Sequence, residues 1–200
     1  MEFVKEFAIF LYKNDIIKFG NFTLSSGKQS TYYIDIRLLP SYPHQYRKII
    51  KNLQNLISEQ IGLEKFDSLA SVPTGGLVIA SSLAIEIVKP LIYVRKKQKE
   101  HGTSKLVEGK TAKGMEILMI DDVATTGESV VNALKILKEE GMNVKHAYVI
   151  INRKEGADKL LESEGVRLHQ ITDILEITDI LYKENLIDEQ MLQSVKNQVN

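Results

Sequence analysis

Apolar residues along this chain follow two kinds of pattern, short continuous runs and a repeat of three to four positions. Short apolar runs bounded by turn residues are typical of buried strands, and the longer repeat is typical of amphipathic helices. The runs predict strands near residues 68–72, 91–94, 117–120, 144–151 and 166–171. The repeats predict helices over about 2–14, 44–61, 77–87 and 128–140, a short helix before the last strand and two helices after it.

Strands that alternate with helices predict an α/β fold, in which a central, mostly parallel sheet is flanked by helices in a Rossmann-like arrangement. At 200 residues and 44% hydrophobic content, the chain is predicted to form one domain over residues 1–200. A turn-rich segment at 19–28 is followed by alternating apolar residues at 32–36. This pattern predicts that residues 1–40 contribute a small N-terminal hood.

The charges and the cysteine count exclude several classes of protein. The chain has 26 Lys and Arg residues and 26 Asp and Glu residues, so no overall field favours a nucleic acid as partner. It has no cysteine, and therefore no disulfide framework. It shows no secretory leader and no apolar run long enough to cross a bilayer, which predicts a cytoplasmic protein without membrane attachment.

The most informative stretch is an apolar run that ends in two acids, Asp121 and Asp122, and continues into a small, hydroxyl-rich turn at 124–129. A buried strand of this kind delivers its acids to the carboxyl edge of a sheet, where open α/β folds bind ligands. Carboxylates there accept hydrogen bonds from vicinal ribose hydroxyls. Backbone amides at the turn before a helix bind a phosphate. The stretch therefore predicts a site for a sugar phosphate.

A simpler interpretation is that the acids only end a strand and that Thr126 or Ser129 caps the next helix. This explains any single residue of the stretch but not the whole string. A Walker phosphate loop is excluded, because no Gly-Lys-Ser/Thr follows at the required spacing.

A second strand-to-helix turn lies at 71–76, with the sequence Ser-Val-Pro-Thr-Gly-Gly. Its glycines let backbone amides approach an anion, provided that its strand lies beside the one that carries the acid pair. Taken alone, a Gly-Gly pair more often serves tight helix packing. Beside the acid pair, the turn predicts pyrophosphate binding.

A basic stretch between Lys89 and Lys113 contains eight basic residues and only two acidic ones. Residues 95–114 lack hydrophobic periodicity and exceed the usual length of a connection, so we expect a long loop there. A run of charges is usually a solvated face. Alternatively, a cationic lid at this position would stabilise charge on a departing pyrophosphate and exclude water.

Four motifs between residues 22 and 153 resemble those of one family. They are Phe-Thr-Leu-Ser-Ser-Gly-Lys-Gln-Ser-Thr-Tyr-Tyr-Ile-Asp from position 22, Val-Pro-Thr-Gly-Gly-Leu from position 72, Tyr-Val-Arg-Lys-Lys-Gln-Lys-Glu-His-Gly-Thr from position 93, and Ile-Asp-Asp-Val-Ala-Thr-Thr-Gly-Glu-Ser from position 120. The last motif resembles the phosphoribosyl-pyrophosphate motif of type I phosphoribosyltransferases. Together, the four resemble the orotate phosphoribosyltransferase family.

The resemblance implies a Mg²⁺-dependent transfer of ribose 5-phosphate from phosphoribosyl pyrophosphate to N1 of orotate, which yields orotidine 5′-phosphate and pyrophosphate in pyrimidine synthesis. It implies that substrate and water, rather than direct protein ligands, hold most of the Mg²⁺ coordination. It assigns catalysis to Lys99 above all, together with Arg95, Lys96, His101 and Asp122. The implied contacts of phosphoribosyl pyrophosphate are Thr74, Gly75, Asp121, Asp122, Val123, Ala124, Thr125, Thr126, Gly127, Glu128 and Ser129.

The resemblance also implies orotate contacts at Ser26, Gly27, Lys28, Tyr32, Tyr33, Thr125 and Arg153. The guanidinium fork of Arg153 suits a planar carboxylate, whereas the ordinary alternative is a surface ion pair with Glu155 or Asp158. The two tyrosines have an alternative role as half-buried strand aromatics.

Members of the family usually close the lid over the active site of a neighbouring subunit, so the resemblance implies a homodimer. Two other functions are weighed against it. A purine phosphoribosyltransferase shares the acid pair but recognises a neutral base, which Arg153 and the Ser-Ser-Gly-Lys segment argue against. A metabolite-sensing regulator would not need the cationic loop and would carry a basic DNA-binding element, and the sequence shows no such element.

Overall fold

The computed structural model describes residues 2–23, 27–95 and 105–199. The N-terminal part consists of helix α1 (Glu2–Lys13) and an antiparallel hairpin of strands β1 (Ile17–Thr23) and β2 (Gln29–Ile34). The hairpin forms the predicted hood. The sequence predicted only turns where β1 lies, and this prediction was wrong because the polar residues of β1 pair with β2 at the surface. A 3₁₀ helix, Ile36–Ser41, then leads into the rest of the chain.

The central sheet contains β3 (Ser68–Ser71), β4 (Leu91–Val94), β5 (Val107–Glu108), β6 (Glu116–Ala124), β7 (Asn143–Asn152) and β8 (Arg167–Asp173). Their order across the sheet is β5-β4-β3-β6-β7-β8, and only the β4–β5 pair is antiparallel. The five predicted strands and the mostly parallel α/β sheet are therefore confirmed. The short β5 lies inside the segment predicted to be an irregular loop.

Among the described residues, six α-helices follow the hood: α2 (Pro43–Gln60), α3 (Gly75–Ile87), α4 (Glu128–Glu139), α5 (Ala157–Ser163), α6 (Ile174–Lys183) and α7 (Glu189–Val199). Local signals set several of their ends. Pro43 occupies the first position of α2, where its missing N–H removes no helical hydrogen bond. Asp173 caps α6 by accepting a hydrogen bond from the Glu176 N–H at 2.9 Å.

The sheet separates two hydrophobic clusters, as the alternation along β6 shows. Leu118 and Ile120 pack into the cluster that contains residues of α1, α2, α3 and α6. Ile117 and Met119 pack into the opposite cluster with residues of α4 and α5. Each fully buried side chain of this kind contributes roughly 2 kcal/mol. Burial on both faces fixes the register of β6, and hence the place where the acid pair emerges. Within the described ranges, no helix is long and apolar enough to cross a bilayer.

Candidate active site

The acid pair lies on the last part of β6, which extends through Ala124 instead of ending at Ile120 as predicted. Asp121 pairs in register with Val149 of β7, so its backbone is held inside the sheet. The Oδ1 atom of Asp121 accepts a hydrogen bond from the Asp122 N–H at 2.9 Å, and Oδ1 of Asp122 accepts one from the Val123 N–H, also at 2.9 Å. Both carboxylates are only partly buried and are thus positioned by the backbone at the sheet edge.

The Gly-Gly turn lies directly against these acids. Strand β3 is parallel to β6, with Ser71 opposite Ile120, and the Ser71 hydroxyl donates to the Ile120 carbonyl oxygen at 2.8 Å. The strand before the Gly-Gly turn therefore lies beside the strand that carries the acid pair, as the prediction of pyrophosphate binding required. A Cβ atom on Gly75 would collide with the Asp122 carboxylate, and one on Gly76 would collide with Asp121. Only glycine permits this approach. The Pro73–Thr74 peptide bond is cis.

The turn after β6 ends at Gly127, which is the N-cap of α4. Gly127 has a φ of 86°, and a Cβ there would lie 2.7 Å from Cδ1 of Leu161, so both conformation and space require glycine. No side chain caps the helix. The simpler interpretation, in which Thr126 or Ser129 is the cap, therefore does not hold. Three residues separate the end of β6 from helix α4, so the first amides of α4, which have no partner within the helix, lie at the carboxyl end of this strand, an arrangement that suits a phosphate.

Arg153 follows β7 at the same edge, and its N–H donates to the Ala124 carbonyl oxygen at 2.8 Å. Its side chain is buried, with a residue exposure of 7%. Nη2 contacts Oε1 of Glu155 at 2.7 Å and Oγ of Ser30 at 3.2 Å, and Nε donates to the Tyr32 hydroxyl at 3.1 Å. The guanidinium also lies 4.6 Å from the centre of the Tyr32 ring. The ion pair with Glu155 exists, but it is buried rather than a surface pair.

Glu155 links this cation to Lys28 of the hood. Its side chain is 3% exposed, and its Oε2 atom accepts from Nζ of Lys28 at 3.0 Å. Burial by itself raises the pKa of Glu155, but the hydrogen bond from Lys28 and the charges of Arg153 and Lys28 outweigh it, so the pKa lies below its usual value. The ionised cluster of Lys28, Arg153 and Glu155 has a net charge of about +1. One carboxylate on a substrate would neutralise it.

Tyr32 is fully buried, and burial raises its pKa far above the ordinary value, so its hydroxyl stays protonated. The hydroxyl of Tyr33 accepts from Nη2 of Arg37 at 3.2 Å. The hydrogen bond from Arg37 holds the pKa of Asp35 below its usual range. The hydrogen bond to Asp35 and the charge of Asp35 raise the pKa of Arg37, and the charge of Asp122 adds a weaker contribution. Arg37 therefore places positive charge near the acid pair.

The two ends of the predicted lid are anchored to the sheet. The Arg95 N–H donates to the Leu106 carbonyl oxygen at 2.8 Å, and Nη1 of Arg95 lies 3.2 Å from Oε1 of Glu108. Arg95 also lines a pocket with Val72 and Ser129, beside the first turn of α4. The predicted site residues Ser26, Lys96, Lys99 and His101 lie outside the described residues.

Sequence reasoning missed the roles of Ser30, Arg37 and Gln198, and it named Glu155 only as a surface partner of Arg153. Ser30 and Arg37 lie within four positions of a predicted residue, and their hydroxyl or charge was the available signal. Gln198 gave no signal, because nothing in the sequence reveals that the last helix reaches the hood. It contacts Ser30 and Glu155 through its side-chain amide.

Comparisons with known proteins agree with this geometry. A family model described as the phosphoribosyl transferase domain matches residues 41–179. Orotate phosphoribosyltransferase of Cenarchaeum symbiosum (strain A) is 47% identical to this chain over 98% of each sequence. The crystal structure of orotate phosphoribosyltransferase from Aeropyrum pernix has a TM-score of 0.78 and 37% identity, and the match covers 90% of this chain and 99% of that one.

The structure of Leishmania donovani UMP synthase has a TM-score of 0.84 and 32% identity. That match covers 98% of this chain but only 42% of the larger protein. The full-length relatives, the family model and the solved structures agree with the motifs on the sheet edge. The chain belongs to the orotate phosphoribosyltransferase family.

Proposed function

We propose that this protein transfers the ribose 5-phosphate unit of phosphoribosyl pyrophosphate to N1 of orotate, forming orotidine 5′-phosphate and pyrophosphate for pyrimidine synthesis. The observation that carries the proposal is the contact of the Gly75-Gly76 turn with Asp121 and Asp122. It brings two anion-binding turns and two acids to one edge of the sheet. The names of the relatives, which are 47% and 41% identical over nearly the whole chain, support the choice of reaction.

Each part of phosphoribosyl pyrophosphate has a matching group at this edge. Asp121 and Asp122 accept hydrogen bonds from the two ribose hydroxyls. The amides and hydroxyls of residues 124–129 hold the 5′-phosphate at the start of α4. Thr74 and Gly75 offer their backbone to the pyrophosphate.

The carboxylates of the acid pair could contribute to binding Mg²⁺, but they are too few to enclose the ion by themselves. Carboxylate oxygens suit this hard cation, but within residues 2–23, 27–95 and 105–199 no group of three or more His, Cys, Asp or Glu side chains forms a metal cage. Asp121 and Asp122 would hold the ion through water and the ribose hydroxyls. When bound, Mg²⁺ supplies charge neutralisation for the pyrophosphate.

Orotate lies against the hood in this proposal, with its carboxylate at Arg153 and Lys28. Ser26, Gly27, Tyr32, Tyr33 and Thr125 complete its surroundings. The net positive charge of the Lys28, Arg153 and Glu155 cluster supports an anionic base over a neutral one. The cluster thereby favours orotate over a purine or uracil.

In the reaction, the bond from C1 of the ribose to the pyrophosphate oxygen breaks, the bond from C1 to N1 of orotate forms, and N1 loses its proton. Positive charge develops on the sugar ring as the leaving group departs. Lys99, with Arg95, Lys96 and His101, stabilises the negative charge on pyrophosphate and keeps water away from the reactive carbon. Positioning and electrostatics supply the catalysis, without a covalent enzyme intermediate.

The proposal includes a homodimer in which each lid closes over the site of the other subunit. Helix α3 and the residue that follows it expose apolar side chains at Val78, Ile85 and Val88, and the last two are 82% and 88% exposed. Apolar side chains exposed together at the end of a helix support an interface between subunits. Localisation in the cytoplasm stays a prediction from the sequence.

The test is an assay of nucleotide formation with Mg²⁺, phosphoribosyl pyrophosphate and orotate, adenine, hypoxanthine or uracil in parallel. We expect turnover with orotate alone. Turnover only with a purine would overturn the choice of base. Binding of phosphoribosyl pyrophosphate without turnover of any base would favour the alternative function of a metabolite-sensing regulator. Omission of Mg²⁺ with added chelator should abolish turnover, and a full rate under that condition would remove the metal from the proposal.

A further inference from the structure

The last helix of the chain reaches the candidate base-binding site. Helix α7 packs its buried Leu192 and Val195 against the body of the protein, and its final turn lies beside strand β2 of the hood. There the half-buried Gln198 faces Thr31, 167 positions away in sequence. No motif of the phosphoribosyl site includes this helix.

The amide of Gln198 makes four hydrogen bonds that join three parts of the molecule. Its Oε1 accepts from the Thr31 N–H at 2.6 Å and from the Thr31 hydroxyl at 2.9 Å. Its Nε2 lies 3.1 Å from Oγ of Ser30 and 3.4 Å from Oε1 of Glu155. Since a backbone N–H only donates, it fixes which end of the amide is oxygen and directs the NH₂ group towards the Glu155 carboxylate.

The two acceptors of Gln198 Nε2 are also the two acceptors of Arg153 Nη2. Oε1 of Glu155 and Oγ of Ser30 lie 2.7 Å and 3.2 Å from that nitrogen. Among the described residues, none hydrogen-bonds Nη1 of Arg153, which leaves this nitrogen for a ligand. The plane of the guanidinium therefore depends on where Glu155 and Ser30 are held, and Gln198 holds both.

We propose that Gln198 of the C-terminal helix is a positioning residue of the base-binding site, acting through Glu155 and Ser30 on the orientation of Arg153. The inference rests on the proposed function, because it takes Arg153, through its Nη1 atom, as the group that binds the orotate carboxylate. A guanidinium held in place loses less conformational entropy when it binds a carboxylate. Gln198 thus affects the binding of orotate rather than the binding of phosphoribosyl pyrophosphate.

The first experiment compares Gln198→Ala with Gln193→Ala in the full-length enzyme. Gln193 is exposed on the same helix, so it controls for loss of a glutamine from α7. We expect Gln198→Ala to raise KM for orotate about tenfold, because Glu155 and Ser30 no longer hold the Arg153 guanidinium in place, with kcat and KM for phosphoribosyl pyrophosphate within about twofold. Gln193→Ala should leave all three constants unchanged.

A second variant separates positioning from simple attachment of the helix. Gln198→Glu keeps an oxygen for the Thr31 donors but has no NH₂ group for Glu155 and adds negative charge beside it. We expect KM for orotate to rise more than in Gln198→Ala, because the new carboxylate repels Glu155, while KM for phosphoribosyl pyrophosphate stays within about twofold. A purely structural Gln198 would instead change both KM values together in both variants.

The outcomes distinguish this inference from the proposed function. If the wild type does not convert orotate, the function fails and the variants are not needed to show it. If the wild type is active and Gln198→Ala and Gln198→Glu both retain its KM for orotate, the inference is overturned while the function stands. A selective rise in KM for orotate in both variants supports it.

Discussion

At the scale of single residues, the environment of Arg153 explains why a lysine cannot replace it. The guanidinium uses Nε for Tyr32 and Nη2 for Glu155 and Ser30. A lysine ammonium is a point charge that cannot make these contacts in that geometry. Because the cation and Glu155 are both buried, a lost contact also leaves Glu155 imperfectly paired.

We therefore expect Arg153→Lys to raise KM for orotate by about 10- to 100-fold, which corresponds to the loss of one or two charge-assisted hydrogen bonds. The affinity for phosphoribosyl pyrophosphate, measured by calorimetry without orotate, should change little. Arg47→Lys, at an exposed position of α2, is the matched control. Equal losses of affinity for both substrates would contradict a specific role of Arg153 in base recognition.

Gly75 allows a prediction about whether a substitution raises or lowers the free energy of unfolding. Its φ is not positive, so Gly→Ala at this helix start would ordinarily stabilise a protein by about 0.4–1 kcal/mol. Here the new methyl group meets the Asp122 carboxylate instead. We expect Gly75→Ala to lower the free energy of unfolding and to weaken binding of phosphoribosyl pyrophosphate at least about tenfold.

The control for Gly75→Ala is the same substitution in an Asp122→Ala background, measured by urea unfolding. The collision partner is absent there, so the added methyl group should cost much less stability than in the wild type. An identical loss in both backgrounds would show that the close approach to Asp122 does not explain the glycine.

At the scale of elements, the sequence was sufficient for the parts of the fold whose burial is periodic. Strands β3, β4, β6, β7 and β8 each carry a run of buried apolar residues, and this signal does not depend on distant partners. The conditional prediction that the Gly-Gly turn adjoins the acid pair was confirmed by the pairing of β3 with β6.

The elements that sequence analysis missed depend on pairing. Strand β1 has mostly exposed or half-buried residues and a glycine, and it exists because β2 lies beside it. Strand β5 has two residues and pairs only with the edge of β4. The base-side network was missed for the same reason: Gln198 and Ser30 are 168 positions apart, and only the tertiary fold brings them together.

A pair of histidines on the neighbouring strands β7 and β8 lies away from the candidate active site. Nδ1 of His146 lies 3.0 Å from Nε2 of His169, and the His169 ring stacks on Tyr148 with 4.3 Å between ring centres. Burial, with a further contribution from the charge of His146, lowers the pKa of His169 from 6.5 to about 4. Burial also lowers the pKa of His146. The contact requires a donor and an acceptor, so it is lost when both rings are protonated.

This pair should make the protein less stable in mild acid. Unfolded His169 takes up a proton near pH 6.5 and the folded residue only near pH 4, so the unfolded state binds more protons between these values. The free energy of unfolding should therefore fall by up to about 3 kcal/mol as the pH is lowered through this window. The substitution His169→Phe keeps the stacked ring, and in urea titrations it should flatten the dependence of the free energy of unfolding on pH in this window. An unchanged dependence would show that other groups cause the loss of stability.

At the scale of the whole molecule, the proposed base site is assembled from distant parts of the chain. The hood contributes Lys28, Ser30 and Tyr32, the segment after β7 contributes Arg153 and Glu155, and the last helix joins them. The phosphoribosyl side of the site comes instead from the central strands β3 and β6. Substitutions in the hood or in α7 should thus change the affinity for the base, whereas substitutions at the sheet edge should change the affinity for phosphoribosyl pyrophosphate.

The proposed homodimer extends this division to a second subunit. Ile85 lies in the last turn of α3 and Val88 directly follows the helix, and both side chains are largely exposed. We expect light scattering coupled to size-exclusion chromatography to give twice the chain mass of 22.6 kDa for the wild type and a monomer for Ile85→Glu. Ser194→Glu, on α7, is the control for an added charge and should remain dimeric.

A lid shared between subunits also predicts complementation between two inactive enzymes. Lys99→Ala removes the lid cation and Asp122→Asn impairs the acid pair, so each homodimer should have little activity. In a mixed dimer, the lid of the Asp122→Asn subunit closes over the intact acid pair of the Lys99→Ala subunit and forms one competent site of two. Since random exchange makes half of the dimers mixed, an equal mixture should recover roughly a quarter of the wild-type activity. A lid that acts within its own subunit gives no competent site in any pairing, and therefore no recovery.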